Sequence, residues 1–345
     1  MTDDSSSPVR WDAVVLGGGA AGLSAALTLA RATRRVLVLD AGEPRNAPAA
    51  GVHGYLGREG TPPLELTRLG RAEVTAYGGV VRTARAASVH RTGDCEGGTG
   101  LTIVLDDGER IEARALVVAT GLVDELADVP GLAERWGRDV VHCPFCHGWE
   151  IRGRRVGVLG TNAFAVHQAL LFRGWTEHVT LFLHEAPEPT DDEWERLAAR
   201  GVEVVTGRVT GLRVEDDALT GVELAGGAVR PVDALATSST LRAADGPLAG
   251  LGLTAVPHPS GLATVVEADA TGLAAPGVWV AGNLADPMAQ VLPAAASGLR
   301  AGAAVVGALL AEETQSAVEL RRARGDGRRG GLTAARPDRE APSRG

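Results

Sequence analysis

The sequence predicts an α/β protein containing two parallel βαβ units. Three observations predict it. First, the apolar run Ala13–Leu16 passes through GGGAAG into the helix-patterned stretch LSAALTLARA and returns as RRVLVLD. Second, from about Arg155 the runs RVGVLG, AFAVHQALLFRGW, HVTLFLH, DDEWERLAARG and VEVVTG repeat the alternation of strand and helix patterns. Third, residues 79–121 between them change to short β-branched runs, with a hairpin turn at Asp106–Gly108. A length of 345 residues suits about two domains. An apolar share of 45% against 22% charged residues excludes a disordered chain.

All 34 basic residues are arginines and face 43 acidic ones, a net charge of −9 with no basic stripe. That balance argues against nucleic acid as a ligand. Ala13 to Ala30 carries no charge, the length of a membrane span. Yet Gly17, Gly18, Gly19 and Gly22 fall where a strand hands over to a helix, and the leading MTDDSSSPVRWD is acidic, the wrong sign for a signal peptide. The expectation is a cytoplasmic protein without a membrane partner.

In GGGAAG, Gly17 allows the tight turn, Gly19 lets backbone N–H groups approach a pyrophosphate, and Gly22 lets the helix pack close to the strand. The helix N-terminus adds partial positive charge. Asp40 ends the second strand about 20 residues on, where a carboxylate accepts ribose hydroxyls. The second unit turns through G-T-N-A-F-A, Gly160 to Ala165, with Asn162 where the second glycine belongs. A Cβ there crowds a pyrophosphate. No arginine cluster follows the second strand, where a 2′-phosphate needs one, and His184 is the nearest substitute.

The segment HCPFCHGWE, His142–Glu150, holds two of the three cysteines. Three cysteines make no disulfide framework, and a C-x-x-C in a chain without an export signal reads as redox or metal chemistry. A dithiol–disulfide centre fits, because His142 and His147 supply an imidazole beside a thiolate. C-x-x-C-H also spells haem attachment, which wants export and an axial partner. Zinc needs four ligands, and the sequence-adjacent pairs His142/Cys143 and Cys146/His147 converge poorly on one ion. Two inert buried thiols complete the alternatives. No metal site is expected. Cys95, in GDCEGGTG, reads as a loop thiol, Glu150 as a turn carboxylate, and the Arg/Gly/Pro-rich stretch after Glu313 as a disordered tail.

As a set, GGGAAG, ATG at Ala119–Gly121, CPFCHG and GVWVAGN at Gly277–Asn283 resemble the low-molecular-weight thioredoxin reductases, which are FAD-dependent pyridine nucleotide-disulfide oxidoreductases. The chain is more similar to their C-x-x-C-H-G relatives, which include dithiol oxidases of gliotoxin- and holomycin-type natural products. The resemblance covers about residues 10–312. It implies two Rossmann-like three-layer domains, the second inserted into the first. The FAD-binding domain would comprise 11–121 plus 245–315, and the NAD(P)-binding-like domain 122–244 with the C-x-x-C. Residues 1–10 and 316–345 would be disordered ends.

The resemblance further implies that Gly17, Gly19, Ala20, Ala21, Gly22, Asp40, Arg45, Asn46, Thr120, Gly121, Gly282, Asn283, Gln290 and Val291 serve FAD. His53 and Tyr55 would line the flavin loop, and Gly160 and Asn162 would face NADPH. Cys146 would lie against the flavin, with Cys143 the outer thiol that exchanges with substrate. His147 stands where thioredoxin reductases carry an Asp, and an imidazole is the better base at neutral pH. Asn283 replaces the usual Asp on the ribityl chain. The Asn162 substitution and the missing arginines count against NADPH. A homodimer is implied. Two directions stay open: NADPH-driven reduction of a thioredoxin-like protein, and oxidation of a small-molecule dithiol. A non-catalytic flavoprotein acting as a binding module is the rival from another class.

Overall fold

The computed structural model describes residues 10–92 and 100–324. Cys95, residues 1–9 of the expected N-terminal segment and residues 325–345 of the expected tail lie outside the described residues. The first βαβ unit is β1 (Trp11–Leu16), α1 (Ala20–Arg31) and β2 (Val36–Asp40). A long loop leads to α2 (Pro63–Ala76) and β3 (Val80–Thr83), and then to a meander of β4 (Ala86–Arg91), β5 (Leu101–Leu105) and β6 (Arg110–Val118). After β7 (Leu122–Glu125) come β8 (Val140–Val141), α3 (Pro144–His147), β9 (Val156–Leu159), α4 (Ala165–Phe172), β10 (Val179–Phe182), α5 (Asp191–Ala199) and β11 (Glu203–Val205). Next follow β12 (Val209–Glu215), β13 (Ala218–Leu224), β14 (Val229–Pro231), β15 (Ala234–Thr237) and β16 (Thr240–Ala243). The chain ends through β17 (Val256–Pro257), β18 (Thr264–Val265), β19 (Leu273–Ala275), β20 (Val278–Val280) and α6 (Val291–Ala323).

The first sheet has the order β19-β20-β6-β1-β2-β3, with β4 and β5 continuing from β6. Its strands β20, β6, β1, β2 and β3 run parallel. Parallel strands covered on both faces read as continuous apolar runs, and every residue of Val36–Asp40 is indeed buried. The second sheet, β11-β10-β9-β15-β8, is wholly parallel. Its helix α5 starts on a capping box between Thr190 and Glu193. The chain passes between the two sheets twice, through β7 and β16, and these pair antiparallel from Leu122↔Ala243 to Glu125↔Thr240. The fold is therefore two Rossmann-like domains, the second inserted into the first.

One expectation is corrected. Residues 316–323, expected in the disordered tail, are helical, because α6 runs on to Ala323. The stretch TQSAVELRRA contains neither Gly nor Pro, and Ala, Leu, Glu and Arg are good helix formers. By length and composition α6 could also cross a membrane. Its first half is a packing element of the first domain: a Cβ at Gly298 would stand 1.9 Å from the Ala21 carbonyl oxygen, and one at Gly302 2.7 Å from that of Ala25. Only glycine permits that approach to α1.

Candidate active site

The β1–α1 turn is shaped by backbone approach. Gly17 has φ +96°, and a Cβ on it would meet the Ala119 oxygen at 2.4 Å; one on Gly22 would meet the Gly17 oxygen at 1.9 Å. Gly19 has no atom within 4 Å of its missing Cβ. It caps α1 with no side-chain hydrogen bond, so open space lies before the uncovered N–H groups of Ala20 and Ala21. Asp40 stands beside this turn and accepts from the Gly18 N–H at 3.0 Å. It also pairs with Arg71 on α2, a partner the sequence reading did not find. These residues fit the pyrophosphate and ribose of FAD.

The other end of the cleft is built from the chain crossings and from α6. Thr120 Oγ1 donates to the Ala244 carbonyl at 2.7 Å, and Gly121 is left-handed at φ +73°. Gly282 donates its N–H to Ser297 Oγ at 2.8 Å. Asn283 Nδ2 donates to the carbonyls of Asp286 (3.0 Å) and Ala289 (2.8 Å), which fixes the loop leading to Gln290 and Val291. An aspartate there would turn a carboxylate toward those carbonyls, which accounts for the amide. Arg45, expected on the cofactor, forms a bidentate pair with Asp124 of β7 at 2.6 and 2.7 Å, and Asp124 also accepts from Ser239 Oγ at 2.6 Å. Burial works to raise the Asp124 carboxyl, but the Arg45 guanidinium outweighs it and holds the group below the usual carboxylate range. Asn46 lies in the adjoining turn, its carbonyl bonded by Ala49 N–H.

The second nucleotide-type turn is filled differently. Asn162 Oδ1 accepts from the Phe164 N–H at 2.9 Å, occupying a donor at the start of α4. The Gly160 carbonyl takes the N–H groups of Glu185 and Ala186, both at 2.9 Å, which ties the loop after β10 to the end of β9. The His184 ring is buried and accepts the Val209 N–H on Nδ1 at 3.0 Å, which removes it as a phosphate partner. Glu185, paired with Arg208 at 3.1 Å, places an acid where a 2′-phosphate wants a base. The filled donor and the Glu185 carboxylate count against NADPH at this turn, while Arg208 beside Glu185 keeps one cation there.

The dithiol lies on α3. Cys143 is extended, at φ −110° and ψ 126°, and caps the helix; Pro144 follows at the first helical position, where its missing N–H costs nothing. Both thiols are free and partly exposed. Gln290 Nε2 lies 3.6 Å from Cys146 Sγ and 3.9 Å from Cys143 Sγ. The sulfurs of the inserted domain are thus brought against the start of α6 in the first. The Cys146 thiol hydrogen-bonds the Cys143 sulfur and, against burial, draws Cys143 down to about 6, helped by the Cys146 and Phe145 N–H groups. Cys146 is pushed up by the same shared proton and by burial.

Two imidazoles flank the pair. Burial pushes His147 down, partly offset by Glu150, so the ring is neutral at pH 7 and free to accept a proton. His142 is lowered by burial and by Arg45. Its carbonyl accepts from Gln168 Nε2 at 2.9 Å, while the buried Gln168 Oε1 has no partner among the described residues. The rim is aromatic: Phe145 packs edge-on to Trp175 at 5.6 Å, and exposed Trp149 lies under Arg152 at 3.8 Å.

A reactive dithiol held against the helix that closes a dinucleotide cleft has the geometry of one family, whose sequence profile matches residues 11–298. The chain belongs to the pyridine nucleotide-disulphide oxidoreductases. It is accordingly an oxidoreductase acting on sulfur groups and a thioredoxin reductase-like flavoprotein. It is 31% identical over 317 residues to the thioredoxin reductase sirT of Leptosphaeria maculans, covering 86% of this chain and 94% of that one. Thioredoxin reductase tcpT of Claviceps purpurea is 34% identical over 176 residues; that match covers 50% of this chain and 54% of the relative's length. Among solved structures, HlmI superposes with a TM-score of 0.86 at 42% identity, over 92% of this chain and 98% of its own. An oxidoreductase from Agrobacterium tumefaciens gives 0.80 at 34% identity, over 88% and 99%.

Of the sequence-predicted residues, the structure gathers Cys143, Cys146, His147 and Gln290 at one place and Gly17, Gly19, Gly22 and Asp40 at another. Asp124, Ser239, Arg71 and Gln168 were missed. Each acts through a partner 26 or more positions away, and no local pattern marks such pairs.

Proposed function

We propose that this enzyme oxidises a small-molecule dithiol to its disulfide and passes the electrons through FAD to oxygen. The observation that carries the direction is the second nucleotide turn, whose donor is taken by Asn162 and whose adjoining loop sets the Glu185 carboxylate where a 2′-phosphate would lie. The Gly-rich cradle, Asp40, Gly121, Gly282 and the N-terminus of α6 would hold FAD, which when bound accepts two electrons from the dithiol.

The chain's own residues do the rest. With Cys143 and Cys146 joined, a substrate thiolate attacks Cys143 Sγ and Cys146 leaves as the anion. The second substrate thiol gives its proton to His147 and attacks the mixed disulfide, closing the product and releasing Cys143. A thiol drawn down to about 6 is a good leaving group at neutral pH, which suits the outer position. Gln290 donates toward both sulfurs and steadies the negative charge as it passes between them. The exposed Phe145 and Trp149 offer an apolar platform suited to a compact substrate. We assign the FAD domain to 11–121 plus 245–315 and the inserted domain to 122–244, and place the working enzyme in the cytoplasm as a homodimer.

Oxygen uptake tests the reading. Dithiothreitol should support steady consumption with formation of peroxide, and NADPH should support none. NADPH-driven reduction of a thioredoxin-like protein at a comparable rate would reverse the direction assigned here.

A further inference from the structure

We infer that His53 and Glu150, with Glu59 at the surface, form the outlet by which the proton collected on His147 leaves the site. The inference rests on the dithiol-oxidising reading above. Oxidising a dithiol releases two electrons and two protons. FAD, when bound, would take up both electrons and one of the protons, which leaves one proton per reductive half-reaction for the chain's own residues to deliver to solvent. It returns when oxygen takes the electrons and becomes peroxide, and the cycle balances.

The geometry supplies a path. His147 directly follows Cys146 and is partly buried. The helical turn continues past it, with Ile151 N–H bonded to the His147 carbonyl at 3.3 Å, so Glu150 shares its face at i+3. Glu150 Oε1 lies 3.6 Å from His53 Nε2. The other ring nitrogen, Nδ1, is 2.6 Å from Glu59 Oε1. The Gly54 N–H donates to Glu59 Oε2 at 2.9 Å and fixes that carboxylate. Both nitrogens of one imidazole thus face carboxylates, so a proton can arrive on Nε2 and leave from Nδ1 without a ring flip. Side-chain exposure is 43% at Glu150, 23% at His53 and 63% at Glu59, so the path runs through one shielded imidazole between two carboxylates that meet water.

The charged groups acting on His147 are Glu150 and His53; Arg45 acts on His142 instead. His53 and Glu59 belong to the loop between β2 and α2, closed by the Val52↔Thr61 bridge, whereas His147 and Glu150 belong to the inserted domain. The outlet is therefore continuous only while the dithiol faces the flavin cleft.

The test uses FAD-loaded protein, with dithiothreitol as the dithiol, in weak buffer titrated with imidazole. His53→Gln and Glu150→Gln should lower kcat roughly ten- to hundredfold. Imidazole should restore much of the His53→Gln rate and leave wild type unchanged. Alkylation of Cys143 by iodoacetamide should keep its pH midpoint in both variants, since the outlet moves protons without setting the thiol's affinity for them. Unchanged kcat, a loss that imidazole does not repair, or a displaced alkylation midpoint would each overturn the outlet. Failure of wild type itself to oxidise dithiothreitol would overturn the underlying reading as well, and separates the two.

Discussion

Cys143 and Cys146 are the two ends of one four-residue turn, yet their protons are held very differently. Cys143 collects hydrogen bonds from the Cys146 thiol and two backbone N–H groups; Cys146 gives its proton away to that bond. A thiol lowered from 9.0 to about 6 is mostly anion at neutral pH, so iodoacetamide should alkylate Cys143 in the reduced enzyme with a midpoint near 6. Gln290→Leu removes a donor to the anion and should move that midpoint upward. His147→Asn should slow dithiol turnover at neutral pH and flatten the acid limb of the pH–rate profile, because it is the neutral imidazole that accepts the proton. This chemistry was legible in HCPFCHG, where spacing and residue type are local. The arrival of Gln290 was not, since its contacts with the two sulfurs span about 145 positions of chain.

At the scale of elements, the turn between β1 and α1 and the loop before α6 define the cleft. Gly22→Ala would set a methyl 1.9 Å from the Gly17 carbonyl oxygen, a contact that a fixed backbone cannot relieve. The purified variant should contain little or no flavin. Asn283→Asp would exchange a donor to two carbonyls for a repelling carboxylate and should cost about 1–3 kcal/mol of unfolding free energy, measured by urea titration. The parallel strands were readable because burial on both faces demands unbroken apolar runs. The end of α6 was misread because Arg/Gly/Pro composition beyond residue 324 coloured the helix-forming residues just before it.

At the scale of the whole molecule, the two domains are joined by β7 and β16, and Arg45, Asp124 and Ser239 tie that ribbon to the loop after β2. Arg45→Ala leaves the largely buried Asp124 carboxylate without its cation and should cost about 2–3 kcal/mol. The stabilisation from this pair is complete above the ordinary aspartate range and is lost as pH falls through Asp124's depressed value. The inserted topology was available only through resemblance, because strand and helix periodicity says nothing about which β-rich segments share a sheet. The NADPH question was legible in part: Asn162 stood out in the sequence, whereas its bond to the Phe164 N–H and the Glu185–Arg208 pair needed three dimensions.

The central claim is that electrons enter the flavin from the Cys143–Cys146 pair. Anaerobic mixing of the oxidised holoenzyme with dithiothreitol tests it most directly, read as loss of the yellow flavin band. Wild type should bleach within a turnover, and Cys146→Ser should keep its FAD and its colour. Bleaching of Cys146→Ser at the wild-type rate, or a wild-type flavin indifferent to dithiol, would contradict the account.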